Sequence, residues 1–576
     1  MRRDPGPVPP ALAGSLPPLL ARIYASRRVA CGEELDYSLA RLLPYSRLKG
    51  IEGAAALLAE VMAAGGRILV VGDYDADGAT STALIMGVLQ ALGHRNLAYL
   101  VPNRFEFGYG LSPEIVAVAA AQDPPPDLII TVDNGISSVA GVAAARQAGM
   151  RVIVTDHHLP GAELPAADAI VNPNQPGCDF PSKALAGVGV AFYLMAALRA
   201  VLAARGWFEG TGVARPNLAD WLDLVALGTV ADVVALDANN RLLVSQGLAR
   251  IRGGRGRPGI AALCRVGKRE PAELVAKDLG FAVGPRLNAA GRLTDMALGI
   301  ECLLATDEAQ ALEMARELDA LNQERRAVEA DMQAQALAIL RSMKLDSSRL
   351  PPALCLYDPS WHEGVVGILA SRIKERVHRP VIAFAPSARG NGEIKGSARS
   401  IPGLHIRDAL DAVAAGHPGL VDRFGGHAMA AGLSLDTARL EAFTGAFQAV
   451  VGGLVDGDML EAVVHSDGAV GAEEFCLATA AALRDAGPWG QGFPEPVFDG
   501  EFELLDRRVL GDQHLKMTVR IPGTERVADA IAFNHTDEEW PGGVRRVVLV
   551  YRLDVNHYRG RRSLQLMVEH VEPVAG

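Results

Sequence analysis

Between residues 67 and 171 the chain alternates short, nearly unbroken apolar runs with longer stretches of helical character. RILVV, NLAYLVP, DLIITVD and RVIVTD are the apolar runs. ATSTALIMGVLQALG, a segment opened by Ser112-Pro113, and residues near 138 to 148 lie between them. Ser112 followed by Pro113 is a helix cap and first residue, and Gly93 is a natural helix stop. Val/Ile/Leu runs without polar alternation are strands buried on both faces, which predicts a parallel sheet covered by helices. Residues 185 to 300 read as mostly helical and complete that doubly wound α/β unit.

The period then changes. Residues 306 to 344 contain no Gly or Pro and are rich in Ala, Leu, Glu, Gln and Arg, so a long connecting helix is expected until Pro351-Pro352 ends it. ALCLYD, VVGILASRIKERV, VIAFAP and MAAGLSL predict a second, smaller α/β domain. After about residue 455, EFELLDRRVL, LKMTVRI, RRVVLVYRLDVN and SLQLMVEHV are strand-like runs between turn signals, predicting a small β-barrel. The expected organisation is an N-terminal segment over 1–50, the main α/β domain over 51–305, the helix over 306–350, the second domain over 351–452 and the barrel over 453–576.

Bulk properties narrow the class. A chain of 576 residues exceeds what one core supports, in keeping with several domains. No apolar run of membrane length is uninterrupted, and the proline-broken start does not resemble a signal peptide. Six cysteines lie far apart with no CxxC, which argues against zinc or a disulfide framework and predicts a cytoplasmic protein without membrane contact. The net charge of −11 excludes a chain that coats itself in nucleic acid, though not a local groove. Residues 250 to 295 run the other way, with ten Lys/Arg against four Asp/Glu.

The polar residues at the strand exits carry the chemistry. In an open parallel sheet ligands bind outside the carboxyl ends of strands. Here those ends deliver Asp73, Asp75 and Asp77 after ILVVG, Asp133 after LIITV, and Asp156, His157 and His158 after VIVT. Asp232 sits in the apolar stretch ALGTVADVVAL, where an unpaired carboxylate is costly. A single aspartate after a strand is often only a helix cap. Three successive strands ending in acid or histidine instead concentrate negative charge, and divalent metal resolves the repulsion. Oxygen ligands with one imidazole suit Mg²⁺ or Mn²⁺ rather than zinc. Two ions sharing a carboxylate activate water and clamp a phosphate, which predicts phosphoester or phosphoanhydride hydrolysis.

GDYDADG, TVDNG, VTDHH and GTVADVV together resemble the four motifs of the DHH phosphoesterases, and GGHAMAAG (425–432) resembles the signature of their DHHA1 domain. VPNRFEFGYGLS, GPRLNAAGRL, WHEGVVGILASR, GSARS and PWGQGFPEPVF resemble, in order, segments of the RecJ family of single-stranded-DNA-specific exonucleases. The resemblance implies two Mn²⁺ or Mg²⁺ ions held by Asp75, Asp77, Asp133, His157 and Asp232, with Asp133 as the bridge. His158 is then directed at the phosphate and Asp156 orients a histidine. Where many small DHH enzymes have a histidine four residues before the first aspartate, this chain has Val71, and Asp73 stays outside the implied ligand set. Arg104, Arg286, Asn288, Arg292, His362, Ser397, Arg399, Gly426 and His427 are the implied substrate contacts. The terminal barrel resembles an OB-fold, with Arg507, Arg508, Arg559, Arg561, Arg562 and Tyr558 available to a single strand.

The expected activity is 5′-to-3′ degradation of single-stranded DNA to mononucleotides in recombination and repair, by a monomer. A single-stranded-DNA-binding protein and a repair helicase are the implied partners. Two other readings stay open on sequence: a phosphodiesterase acting on short oligonucleotides or cyclic dinucleotides, and a non-catalytic scaffold of the same fold. A Rossmann dinucleotide enzyme is excluded by the missing GxGxxG after the first strand.

Overall fold

The computed structural model describes residues 1–4, 6–102, 110–342, 350–388, 390, 392–426, 428–511, 513–537, 540, 543–558 and 560–574, without the side chains of 340–342 and 558. Arg104, His427, Arg559 and the side chain of Tyr558 lie outside the described residues.

The first apolar runs form strands β1 (Ile68–Gly72), β2 (Leu97–Leu100), β3 (Leu128–Val132), β4 (Arg151–Thr155) and β5 (Ala169–Val171). They make one parallel sheet in the order β2-β1-β3-β4-β5. β1 and β3 are buried along their whole length, as their unbroken apolar sequences require. The chain leaves β1 toward β2 on one side and then builds β3, β4 and β5 on the other. The switch point therefore falls between β1 and β3, where the loops diverge and open a crevice.

Helix Gly187–Ala204 is long and apolar enough to cross a membrane, with mean hydropathy 1.8, yet 67% of it is buried within this domain. It packs against helices Ile51–Ala63 and Ala76–Ala91 as a core element.

Helix Glu308–Ser342 joins the two α/β domains. Ala311, Ala315 and Leu318 pack into the first core, while Met332 and Ala336 pack into the second domain. That domain has strands β6 (Leu354–Tyr357), β7 (Val381–Pro386), β8 (Glu393–Arg399), β9 (Arg423–Gly426) and β10 (Ala430–Asp436), in the order β6-β7-β8-β10-β9. Only the β6–β7 pair is parallel.

Strands β11 (Phe498–Leu510), β12 (His514–Arg520), β13 (Val527–Phe533), β14 (Arg546–Tyr558) and β15 (Arg561–Val574) close into a five-stranded barrel. The N-terminal segment, the least informative part of the sequence, fastens this barrel to the first domain. Arg2 bridges Ser466, and Arg27 donates to both oxygens of Asp467 at 2.9 and 3.1 Å.

Candidate metal centre

The acids gather at the switch point because local structure aims them there. Asp75 caps helix Ala76–Ala91, its Oδ1 accepting from the N–H groups of Asp77 (2.9 Å) and Gly78 (3.0 Å). Asn288 Oδ1 accepts from Ala76 N–H at 2.7 Å, fixing the same turn from helix Gly284–Leu293. Asp77 accepts from the N–H groups of Gly187 (2.7 Å) and Val188 (2.9 Å), at the positive end of the buried apolar helix. Asn134 ties the exits of β1 and β3 together, donating to Val71 O and Val132 O.

Asp133 takes a left-handed φ of 60°, an uncommon conformation for a residue with a Cβ. Gly187 lies so close that a Cβ there would stand 2.8 Å from Asp133 Oδ1. Val233, next to Asp232, is also left-handed at φ 61°, which a β-branched side chain adopts only under constraint.

His157 Nε2 lies 3.1 Å from Asp133 Oδ1, 3.4 Å from Asp232 Oδ2 and 3.9 Å from Asp77 Oδ2. Asn172 and Asn174 hold the backbone of the histidine pair by donating to His158 O and His157 O. His158 Nδ1 is 2.8 Å from Asp156 Oδ1. A carboxylate only accepts, so Nδ1 carries the proton and donates. Asp156 also accepts from the N–H groups of Ile136, His157 and His158. Burial pushes Asp156 up and His158 down, but their hydrogen bond outweighs it: Asp156 stays below its usual range and His158 rises to about 9.

The other carboxyls go the opposite way. Burial, with the charge of Asp75 next, raises Asp77 to about 7. Burial, with the charge of Asp77 next, holds Asp133 and Asp232 well above the carboxylate range. Among the described residues His157 is the only ion-pair partner of Asp77 and Asp232, and Asp232 Oδ2 is buried without a hydrogen-bond partner. Three sets have their ligand atoms mutually within 4.8 Å: Asp73, Asp75 and Asp133; Asp77, His157 and Asp232; Asp133, His157 and His158. Buried acids arranged as neighbouring oxygen-rich triads, with His157 the ion-pair partner of Asp77 and Asp232 among the described residues, fit two hard divalent cations such as Mg²⁺ or Mn²⁺. Asp73, left out on sequence, belongs to the cluster. Its signal was the alternation Asp73, Asp75, Asp77, read there as a ligand pair plus a bystander.

The opposite wall is cationic. A cavity of about 830 Å³ lies between the domains, lined on one side by Tyr74, Asp156 and His158 and on the other by Ser397, Arg399 and Gly426. Arg399 donates to Ser397 Oγ (2.9 Å) and to its own strand at Ala398 O, with no carboxylate partner among the described residues. Burial lowers its pKa. Arg292 lines the same cavity and donates to Gly364 O (3.3 Å) across the domain boundary. His362 accepts from Gly364 N–H (3.1 Å), shaping that turn.

Three of the expected contacts already have protein partners. Arg286 is buried and ion-paired with Asp319 of the long helix at 2.7 Å, so it fastens two helices rather than lining the cavity. Asn288 accepts through Oδ1 from the Asp75 turn, so it positions that turn in addition to the contact expected of it. On the barrel, Arg507 is neutralised by Asp537 (2.8 Å) and stacks over Trp540.

Comparison with known proteins fits this architecture. Residues 67–229 match the N-terminal domain of the DHH family, 350–453 the DHHA1 domain and 466–570 the RecJ OB domain. These domains define a DHH-type phosphoesterase with an appended OB-fold. The chain is 59% identical to the single-stranded-DNA-specific exonuclease RecJ of Dickeya dadantii, over 98% of this chain and 97% of that one. Its identity to the Escherichia coli protein of that name is 55%, with the same coverage. The chain belongs to the RecJ family. A crystal structure of Thermus thermophilus RecJ with Mn²⁺ superposes with a TM-score of 0.78 at 32% identity, covering 98% of this chain and 77% of that one. The Mg²⁺ complex gives 0.74 at 30% identity, covering 98% and 76%.

Proposed function

We propose that this chain is a divalent-cation-dependent exonuclease that hydrolyses single-stranded DNA from its 5′ end and releases 5′-mononucleotides. The observation that carries the reading is Asp133 shared by two of the three sets of neighbouring ligand atoms, at a cavity whose far wall bears a desolvated arginine with no carboxylate partner among the described residues. That pairing of a metal pocket with a phosphate clamp is the chemistry of in-line phosphodiester displacement.

Asp73, Asp75 and Asp133 would hold one ion, and Asp77, His157 and Asp232 the other, with Asp133 shared. When bound, Mn²⁺ or Mg²⁺ acidifies water and offsets charge on the phosphate oxygens. The residues do the positioning. Asn288 and the Asp75 cap fix the first turn, Asn134 fixes the gap between β1 and β3, and Asp156 directs His158 toward the cavity. His158 then donates Nε2–H to a non-bridging oxygen of the scissile group. Arg399 and Ser397 receive a phosphate of the strand end, since a desolvated guanidinium binds an anion more strongly than an exposed one. Water adds to phosphorus, the 3′-oxygen leaves with a proton, and a 5′-mononucleotide departs. The relatives' printed function and the OB-fold support a long single strand over a dinucleotide as substrate. A role in recombination and repair, with a single-stranded-DNA-binding protein and a helicase as partners, rests on the family likeness.

The test is digestion of 5′- and 3′-labelled single strands and duplexes with Mn²⁺ and then with EDTA. Mononucleotides released from the 5′ end of single strands only, and nothing in EDTA, is the expected result. Intact single strands in Mn²⁺, or cleavage confined to dinucleotides, would overturn it.

A further inference from the structure

The cavity between the two α/β domains has a stretch of wall that neither the metal pocket nor the phosphate clamp uses. It is made by Glu363, on the turn before helix Val366–Val377, and by Lys395 of β8.

The side chain of Glu363 is only 8% exposed, and its two oxygens are treated differently. Oε2 lies 2.9 Å from Lys395 Nζ and accepts from Ala388 N–H at 3.4 Å. Oε1 is buried with no hydrogen-bond partner among the described residues. One oxygen is enough to tie the turn to the strand. The second adds nothing to that tie, and a buried acceptor without a donor costs free energy. It is therefore short of one donor, at the wall of a cavity of about 830 Å³.

The chemistry of that donor is restricted. A metal ion is opposed by the Lys395 ammonium on the same carboxylate. A phosphate carries no donor and is repelled by the carboxylate's charge. A neutral N–H or O–H remains, and a 5′-phosphorylated deoxynucleotide within a strand has no free hydroxyl on its sugar. Its base is the part that offers N–H groups.

The position suits a base as well. Burial alternates along β8, so Lys395, Ser397 and Arg399 face the cavity while Ile394 and Ala398 face the core. Lys395 stands two residues from Ser397, about 7 Å along the strand, roughly a sugar's width beyond the clamp. The floor beside Ser397 is bare, because its cross-strand neighbour is Gly432, where a Cβ would meet nothing within 4 Å. A Cβ on Gly367 would stand 2.8 Å from Arg399 Nη2 and 2.9 Å from Ser397 Oγ. The helix that begins just after Glu363 is thus seated directly on the clamp, which fixes the carboxylate relative to it.

We propose that Glu363 reads the base of the 5′-terminal nucleotide. With the 5′-phosphate on Arg399 and Ser397, Oε1 accepts from the exocyclic amino group of adenine, cytosine or guanine, and Lys395 holds the carboxylate in place. Thymine offers only N3–H, set between two carbonyl oxygens that the carboxylate repels, so it is the disfavoured terminal base. Each nucleotide released brings the next base into this pocket, and the preference recurs at every step. The proposal rests on the exonuclease reading for placing the strand end at Arg399.

The experiment uses the full chain with Mn²⁺ and 3′-labelled, 5′-phosphorylated single strands that differ only in the terminal nucleotide. Deoxyadenosine is compared with purine deoxyriboside, which lacks the amino group, and deoxycytidine with thymidine. Release of the first nucleotide should have a kcat/KM about tenfold higher for the amino-bearing member of each pair, the effect of one hydrogen bond to a charged acceptor. In Glu363→Gln the side-chain carbonyl stays with Lys395 and the amide NH₂ faces the cavity. The adenine advantage should then vanish, and thymidine-ended strands should overtake deoxycytidine-ended ones. A merely structural Glu363 would slow all four strands alike. Equal rates for the two purines in the parent, or the parent's ratios kept in Glu363→Gln, would overturn the proposal. Strands left intact whatever their terminal base would instead overturn the exonuclease reading. The same series bound in EDTA then decides the pocket, with affinity that follows the amino group supporting it and equal affinities overturning it.

Discussion

Two of the places where this molecule buries carboxylate are treated in opposite ways. Asp467, beneath the barrel, accepts from Arg27 (2.9 and 3.1 Å), Arg3 (3.2 Å), Ser26 Oγ (3.1 Å) and Val497 N–H (3.0 Å). Burial alone would raise it, but the Arg27 hydrogen bond and charge outweigh that and hold it below its usual range. At the switch point Asp77, Asp133 and Asp232 are buried among one another and are pushed up. A structural acid receives its countercharge from the chain. At the switch point the buried acids raise one another instead, and that concentration of like charge marks the site.

The contrast can be broken most forcefully at Asp133. Asp133→Asn should lower release of labelled nucleotides by at least about a thousandfold. In EDTA the same variant should be no less stable to urea than the parent, because it removes a like charge. A large loss of stability would make Asp133 structural after all. Arg27→Met should do the reverse: about 3 kcal/mol of stability lost in urea unfolding, from an uncompensated Asp467, with Mn²⁺ affinity retained.

Smaller effects sharpen the comparison. Mn²⁺ at about 100 times its Kd should stabilise the parent by about 2.7 kcal/mol in thermal unfolding and the Asp133→Asn protein by much less. The pH responses should have opposite signs. In EDTA the raised Asp77 costs stability above about 7, and that cost is relieved as pH falls toward its unfolded value. Asp77→Asn should abolish the relief. The depressed Asp467 contributes stability above its unfolded value, lost as pH falls through its lower folded one. Arg27→Met should flatten that acid limb. Urea unfolding against pH reads both.

What could be read from sequence follows the range of the interactions. β1, β3 and β4 announce themselves because burial on both faces demands an unbroken apolar run, and the acids at their ends follow within a few residues. The barrel is legible from its turn signals for the same local reason. The Arg27–Asp467 clasp spans 440 residues and left no local trace. Arg286 looked like a phosphate contact because its ion pair with Asp319 exists only once two helices pack. That Asn288 also holds the Asp75 turn was not legible, because its partner there, the N–H of Ala76, carries no side-chain signature. Asp73 stayed outside the ligand set that the resemblance implied, and only the folded loop brings it within reach of Asp133.

Anomalous scattering from crystals grown with Mn²⁺ tests most directly whether these acids converge on shared ions. Two Mn²⁺ peaks should appear, one ligated by Asp73, Asp75 and Asp133, the other by Asp77, His157 and Asp232, with Asp133 touching both. Peaks elsewhere, or one ion that Asp133 does not touch, would contradict the account.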